Sequence, residues 1–142
     1  LPQRLDVLDD RLSVADNAVR SAPGVPYNHV RAQLARFLFR GRRAEQLVGT
    51  LSGGERFRAT LAATMLAEPA PQLLLLDEPT NNLDLASLRQ LVQALAAYRG
   101  ALLVASHDLP FLESIGITRW LLADGELRET SPEEVRALLE PR

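Results

Sequence analysis

The chain has 142 residues, 46% of them hydrophobic and 24% charged, with a formal net charge of −2 and no cysteine. This is enough for one domain with a sizeable core; it excludes a disulfide frame and a thiolate metal site, and it gives no global attraction to nucleic acid. No apolar run approaches the ~20 residues of a membrane helix and no signal-peptide pattern is present, so a cytoplasmic protein with no direct membrane insertion is expected.

In chain order, Ser13 can cap a short helix over Val14–Arg20, and Pro23, Gly24 and Pro26 then mark a loop. Val30, Leu34, Phe37 and Leu38 share one face of a second helix that Gly41 can end, and a short third helix is predicted over Arg42–Val48. Ser52 to Ala67 predicts a longer helix, closed by Pro69 and Pro71. Gln72–Asp77 is too brief an apolar run for a stable helix and reads as a buried strand, as does Ala101–Ala105. Between them, Leu85, Leu88, Leu91, Val92 and Leu95 form a helical stripe. Asp108–Ile115 reads as a short helix, Arg119–Ala123 and Glu126–Glu129 as a hairpin around Asp124-Gly125, and Ser131-Pro132-Glu133-Glu134 opens a last helix. Helices alternating with strands define an α/β protein, and in such sheets ligands gather beyond the carboxyl ends of parallel strands. Asp77-Glu78 and Ser106-His107-Asp108 stand at two of those ends.

Three segments carry chemistry. In Leu51-Ser52-Gly53-Gly54-Glu55, Ser52 and Glu55 fit a capping box. Two glycines in a first helical turn each cost up to ~1 kcal/mol against alanine, and a cap does not ask for them. Bare backbone at a helix N-terminus lets an anion approach free N–H groups, which favours a phosphate contact. Asp77-Glu78 reads either as solvated acids or as a magnesium ligand followed by a carboxylate that activates water for attack on phosphorus. His107, at the neighbouring strand end, is placed to contact a γ-phosphate; His29 has no such context and reads as solvated. Asp84 can cap the helix that begins at Leu85. Arg31, Arg36, Arg40, Arg42 and Arg43 form one basic cluster, read as a solvated face in preference to an RNA contact. All sixteen basic residues are arginine, so the sequence contains no Gly-rich phosphate loop with its terminal lysine. Leu1 in place of an initiating methionine predicts a chain cut from a longer one.

Together these segments resemble the ATP-binding cassette (ABC) family. Leu51–Glu55 matches its signature motif, Leu73–Glu78 its Walker B motif and catalytic glutamate, Asn81-Asn82-Leu83-Asp84 its D-loop, His107 its switch histidine, and Leu1-Pro2-Gln3 the end of its Q-loop strand. The string from Asp77 to Asp84, and Phe37-Leu38-Phe39-Arg40-Gly41 before the signature, look like the ABC-F subfamily, whose members are soluble proteins with two fused cassettes, many acting on the ribosome. Phe57 and Asn82 depart from the common pattern without removing a phosphate-handling group. The resemblance implies a partial P-loop NTPase fold. Residues 4–50 would form a mainly helical subdomain; 51–142 would hold the signature helix, parallel core strands and a C-terminal antiparallel hairpin, with the Walker A region absent. It further implies ATP and Mg²⁺ as ligands, Glu78, His107 and Gln3 as catalytic residues, and Asp77 with Gln3 at the metal. Ser52, Gly53, Gly54, Glu55 and Asp84 would face nucleotide. The implied partner is a second cassette, fused or homodimeric, with the ribosome or RNA as a further partner of an ABC-F protein. The alternatives are a cassette serving a membrane permease and a non-catalytic module binding protein or RNA. An ATPase in the intact parent and an inactive fragment are expected.

Overall fold

The computed structural model describes residues 7–81 and 83–139. Its first half is helical: α1 (Val14–Ser21), α2 (Tyr27–Arg36), two 3-10 turns (Gly41–Glu45 and Val48–Thr50) and α3 (Gly53–Leu66). The second half alternates: β1 (Leu73–Asp77), α4 (Leu85–Ala97), β2 (Ala101–Ala105), α5 (Leu109–Ser114), β3 (Trp120–Ala123), β4 (Leu127–Thr130) and α6 (Pro132–Leu139).

Local chemistry explains the helix starts. The Ser13 hydroxyl accepts the Asp16 amide at 3.0 Å, Asp84 accepts the Ser87 amide at 2.7 Å, and Asp108 accepts the Phe111 amide at 3.0 Å; each satisfies a donor that the first helical turn leaves free. Asn17, buried on α1, fills its amide by bonding the Asp9 backbone in both directions and the Ser13 carbonyl, which fixes the chain ahead of α1. Six consecutive α3 residues, Arg58 to Ala63, are buried. A helix enclosed on all sides sits inside its domain and not on its surface. Val14 and Ala18 of α1, Val30 and Leu34 of α2, and Leu91 and Leu95 of α4 share its core.

Two expectations for the helical half are corrected. The apolar stripe continues to Leu38, but α2 ends at Arg36. The Phe37 and Phe39 amides both donate to the Leu34 carbonyl, at 3.0 and 2.9 Å, and Leu38 takes a left-handed φ of 68°. Phe37 and Phe39 are therefore buried by a folded-back loop. The predicted third α-helix is instead the pair of 3-10 turns, tied to α1 through the Ser13–Leu47 bridge.

β1 and β2 pair in parallel, with Leu74 opposite Leu102, Leu75 opposite Leu103 and Asp77 opposite Ala105. Period-two alternation sends Leu74, Leu76, Leu102 and Val104 into the core. The opposite face corrects the expectation of fully buried strands: Leu73, Leu75 and Leu103 are 52%, 57% and 57% exposed. Parallel sheets ordinarily have both faces covered, and no element among the described residues covers this one. The hairpin pairs Trp120 with Thr130 and Ala123 with Leu127, and its turn uses Gly125 at φ 102°. No helix among the described residues is long and apolar enough to cross a membrane.

Candidate functional site

Asp77 is the last residue of β1, and the chain turns at once. The Glu78 amide donates to the Ala105 carbonyl at 2.8 Å, extending the sheet ladder by one bond. Glu78 itself takes φ 44°, a left-handed conformation that costs a residue with a Cβ roughly 1–2 kcal/mol. That twist directs its side chain to the end of β2. There His107 Nδ1 lies 2.9 Å from Glu78 Oε1 in hydrogen-bonding geometry. The same nitrogen lies 2.9 Å from Oε2, but without that geometry, so Oε2 is buried with no hydrogen-bond partner. The carboxylate beside it raises the His107 pKa above its ordinary value, first through the hydrogen bond and then through charge, with Asp108 adding to the effect. Asp77 is exposed. Among the described residues no three His, Asp or Glu side chains cluster as a metal site. Magnesium, however, is commonly held by one or two carboxylates together with phosphate oxygens. The exposed Asp77 carboxylate and the unpartnered Glu78 Oε2 fit such an ion and the water around it.

The second group lies at the start of α3. Ser52 accepts the Glu55 amide at 3.3 Å and donates its own amide to Glu55 Oε2 at 3.0 Å, a complete capping box. The Ser52 backbone bond is the chief cause of a lowered Glu55 pKa, and Arg43 forms an ion pair with the same carboxylate. A Cβ built on Gly53 would meet nothing within 4 Å. Nothing within the described chain therefore requires glycine there, and the open approach suits an anion at the helix N-terminus. No hydrogen bond or ion pair among the described residues joins this group to Glu78 and His107. Gln3 lies outside the described residues, as does Asn82. Asp84 caps α4, and its pKa is lowered first by the hydrogen bonds to Ser87. His29 is exposed.

Sequence reading missed Arg58. Its residue is only 6% exposed, its Nη1 donates to the Phe37 carbonyl at 3.1 Å, and its guanidinium lies 5.4 Å from the Phe39 ring centre. Burial pulls its pKa down, while the Asp84 and Glu55 charges oppose that pull. A buried arginine thus stands behind the capping box and also feels the acid that caps α4. The available signal was register: Arg58 lies three and four residues before Leu61 and Ala62, on the apolar face of α3.

The described chain thus carries an acid and an imidazole meeting at the carboxyl end of a parallel strand pair and, as a separate group, a glycine-opened helix start. The family model described as "ABC transporter" matches residues 1–81, and the chain belongs to that family. Its resemblance within the family is to sub-family F. The chain is 34% identical over 138 residues to "ATP-binding cassette sub-family F member 3" of Mus musculus, covering 96% of this chain and 19% of that protein. It is 39% identical over 122 residues to "ATP-binding protein Uup" of Escherichia coli strain K12, covering 83% and 19%. The chain thus spans about a fifth of the length of these relatives. The fold matches the "Structure of a bacterial Atm1-family ABC exporter with ATP bound" at a TM-score of 0.71 and 20% identity, over 94% of this chain and 26% of that one.

Proposed function

We propose that this chain is the signature, Walker B and switch-histidine part of an ATP-hydrolysing cassette in a cytoplasmic ABC-F type protein that acts on the ribosome. Residues 4–50 serve as its helical subdomain and 51–142 as the rest. The observation that carries this reading is Glu78: a left-handed residue at a parallel strand end, its carboxylate shared with His107 and one oxygen buried without a partner.

In this reading the Glu78 carboxylate orients a water and accepts its proton as that water attacks the γ-phosphate of ATP. His107 holds the Glu78 carboxylate through Oε1 and, from the neighbouring strand end, faces the phosphate. Ser52 and the amides of Gly53 and Gly54 reach the nucleotide bound mainly by a second cassette, fused or homodimeric. Asp77, with Gln3, would hold Mg²⁺, which supplies charge neutralisation on the phosphates. The uncovered face of Leu73, Leu75 and Leu103 is covered by the remainder of the cassette, which also carries the lysine-bearing loop. The 142 residues alone, having no lysine, hydrolyse no ATP.

Glu78→Gln in the intact protein tests the mechanism. The variant retains ATP binding, holds the two cassettes closed and loses about 10²–10⁴ in turnover, the usual worth of general-base assistance. Rapid steady-state turnover by that variant would remove Glu78 from the role. Ribosome action is tested by co-sedimentation of the closed variant with ribosomes in ATP; its absence refutes that part alone.

A further inference from the structure

The parallel pair has a second end, and a different surface lies there. Just before β1 and β2, the carboxyl ends of α3 and α4 meet α2 around a cleft of about 640 Å³. Glu78 and His107 follow the same strands at their other ends, so five residues of strand, roughly 16 Å, separate the two places.

The charge of this cleft is one-sided. Arg36, Arg40 and Arg99 line it, all three exposed, and no aspartate or glutamate does. Among the described residues none of the three forms an ion pair. Their neighbours in the same basic cluster differ: Arg31 is bound to Glu45 and Arg43 to Glu55. Arg40 Nε donates to the Ala35 carbonyl at 3.4 Å, and the three like-charged groups give the cleft a positive potential that favours an anion. Guanidinium also matches carboxylate in a bidentate fork.

The floor is apolar, built from Phe37, Met65, Ala94 and Ala97. Methionine and alanine form an adaptable, shallow seat for an aliphatic or aromatic side chain. Gln33, Gln90 and Gln93 add amides that both donate and accept, as a peptide backbone requires. A stacked nucleic-acid base finds no open phenylalanine face here, which favours a protein ligand over a single-stranded nucleic acid held by stacking. Phe37 is 2% exposed, and the Tyr98 hydroxyl is committed to the Pro71 carbonyl at 2.6 Å.

We propose that this cleft docks an acidic amphipathic protein segment. Two or more Asp or Glu side chains pair with Arg36, Arg40 and Arg99, and a Leu-, Met- or Phe-sized side chain seats on the floor. The site is independent of the nucleotide chemistry proposed above and stands or falls without it.

The test uses the natural chain that carries these residues. Fluorescence anisotropy is measured with a labelled helix-forming peptide presenting a Glu–Leu–Glu face, with its Gln–Leu–Gln counterpart, and with a single-stranded RNA of equal charge. The acidic peptide is expected to bind, and the glutamine peptide about tenfold or more weaker, one charge-assisted bond being enough for that factor. Arg36→Glu combined with Arg99→Glu is expected to weaken the acidic peptide at least as much. Ala94→Trp fills the floor without touching charge and should do the same, while Arg89→Glu, outside the cleft, should not. Circular dichroism checks folding, and Arg36→Gln with Arg99→Gln replaces the reversal if that variant misfolds. No peptide binding, or binding indifferent to both cleft variants, overturns the proposal. So does RNA that binds more tightly than the peptide with a steep salt dependence.

Discussion

Arg58→Ala should loosen the joint between the signature helix and the Phe37–Phe39 loop. The guanidinium bond to the Phe37 carbonyl is charge-assisted and almost fully buried, which is worth about 1.5–3 kcal/mol. Truncation also removes the arginine stem, two or three buried methylenes at about 0.8 kcal/mol each. The contact over Phe39 adds about 0.5–1 kcal/mol. Against these stands relief of the unpartnered Nε, a buried donor whose desolvation costs about 1–3 kcal/mol. The balance is a loss centred on about 3 kcal/mol, or roughly two orders of magnitude in a local opening equilibrium. Native-state hydrogen exchange reads this directly at the Phe37, Leu38 and Phe39 amides, which donate to Leu34, Ala35 and Leu34. Arg58→Lys keeps the charge and stem but not the planar fork, and should recover part of the protection. Acceleration of less than about fivefold in Arg58→Ala, at one kcal/mol or below, would refute the reasoning and leave the arginine a bystander.

The Glu78–His107 pair makes a pH prediction. Because the folded His107 pKa is raised by Glu78, the pair's stabilisation is fully present below the ordinary histidine value of 6.5 and is lost as pH rises through the elevated folded value. An NMR titration of the His107 ring should show a midpoint above that ordinary value, returning toward it in Glu78→Gln; an unchanged midpoint would show that the pair does not form. Gly53→Ala separates fold from ligand. With open space around its Cβ, the substitution should leave the folding stability level or raise it by up to ~1 kcal/mol of helix propensity, while lowering ATP turnover in the intact protein. Destabilisation would show instead that the glycine serves the fold.

How far the sequence could be read depended on the range of each interaction. Ser52 and Glu55 were legible as a capping box because donor and acceptor are three residues apart in any helix start. The hairpin around Asp124-Gly125 was legible for the same reason. Helix α2 was overextended because Phe37 and Leu38 continue its apolar spacing; whether the loop folds back onto the Leu34 carbonyl is decided by the burial site that Phe39 finds, and that is tertiary. The strands showed a related failure. Leu73–Leu76 reads as buried on both faces, yet burial is a property of tertiary packing, and no element among the described residues covers Leu75 and Leu103. Arg58 was hidden by its charge, which ordinarily argues for an exposed position. The meeting of Glu78 with His107, 29 residues apart, followed only from two parallel strands ending side by side.

Glu78 joins that geometry to a cost. A left-handed residue with a Cβ is strained by roughly 1–2 kcal/mol, and such strain persists where surrounding bonds over-determine the backbone. Here the Glu78 amide is held by Ala105 and its carbonyl accepts the Asn81 amide at 3.2 Å. The two bonds force the turn and with it the side-chain direction. Glycine adopts this backbone without a steric penalty, so Glu78→Gly and Glu78→Ala remove the same carboxylate but differ in strain. Chemical denaturation should find Glu78→Gly more stable than Glu78→Ala, with about 1 kcal/mol of relieved strain set against the glycine's greater unfolded-state entropy. Both variants should lose about 10²–10⁴ in ATP turnover in the intact protein, as Glu78→Gln does. If the alanine variant proves the more stable, the turn is unstrained, and the orientation of the carboxylate toward His107 must then come from the pair itself and not from the sheet.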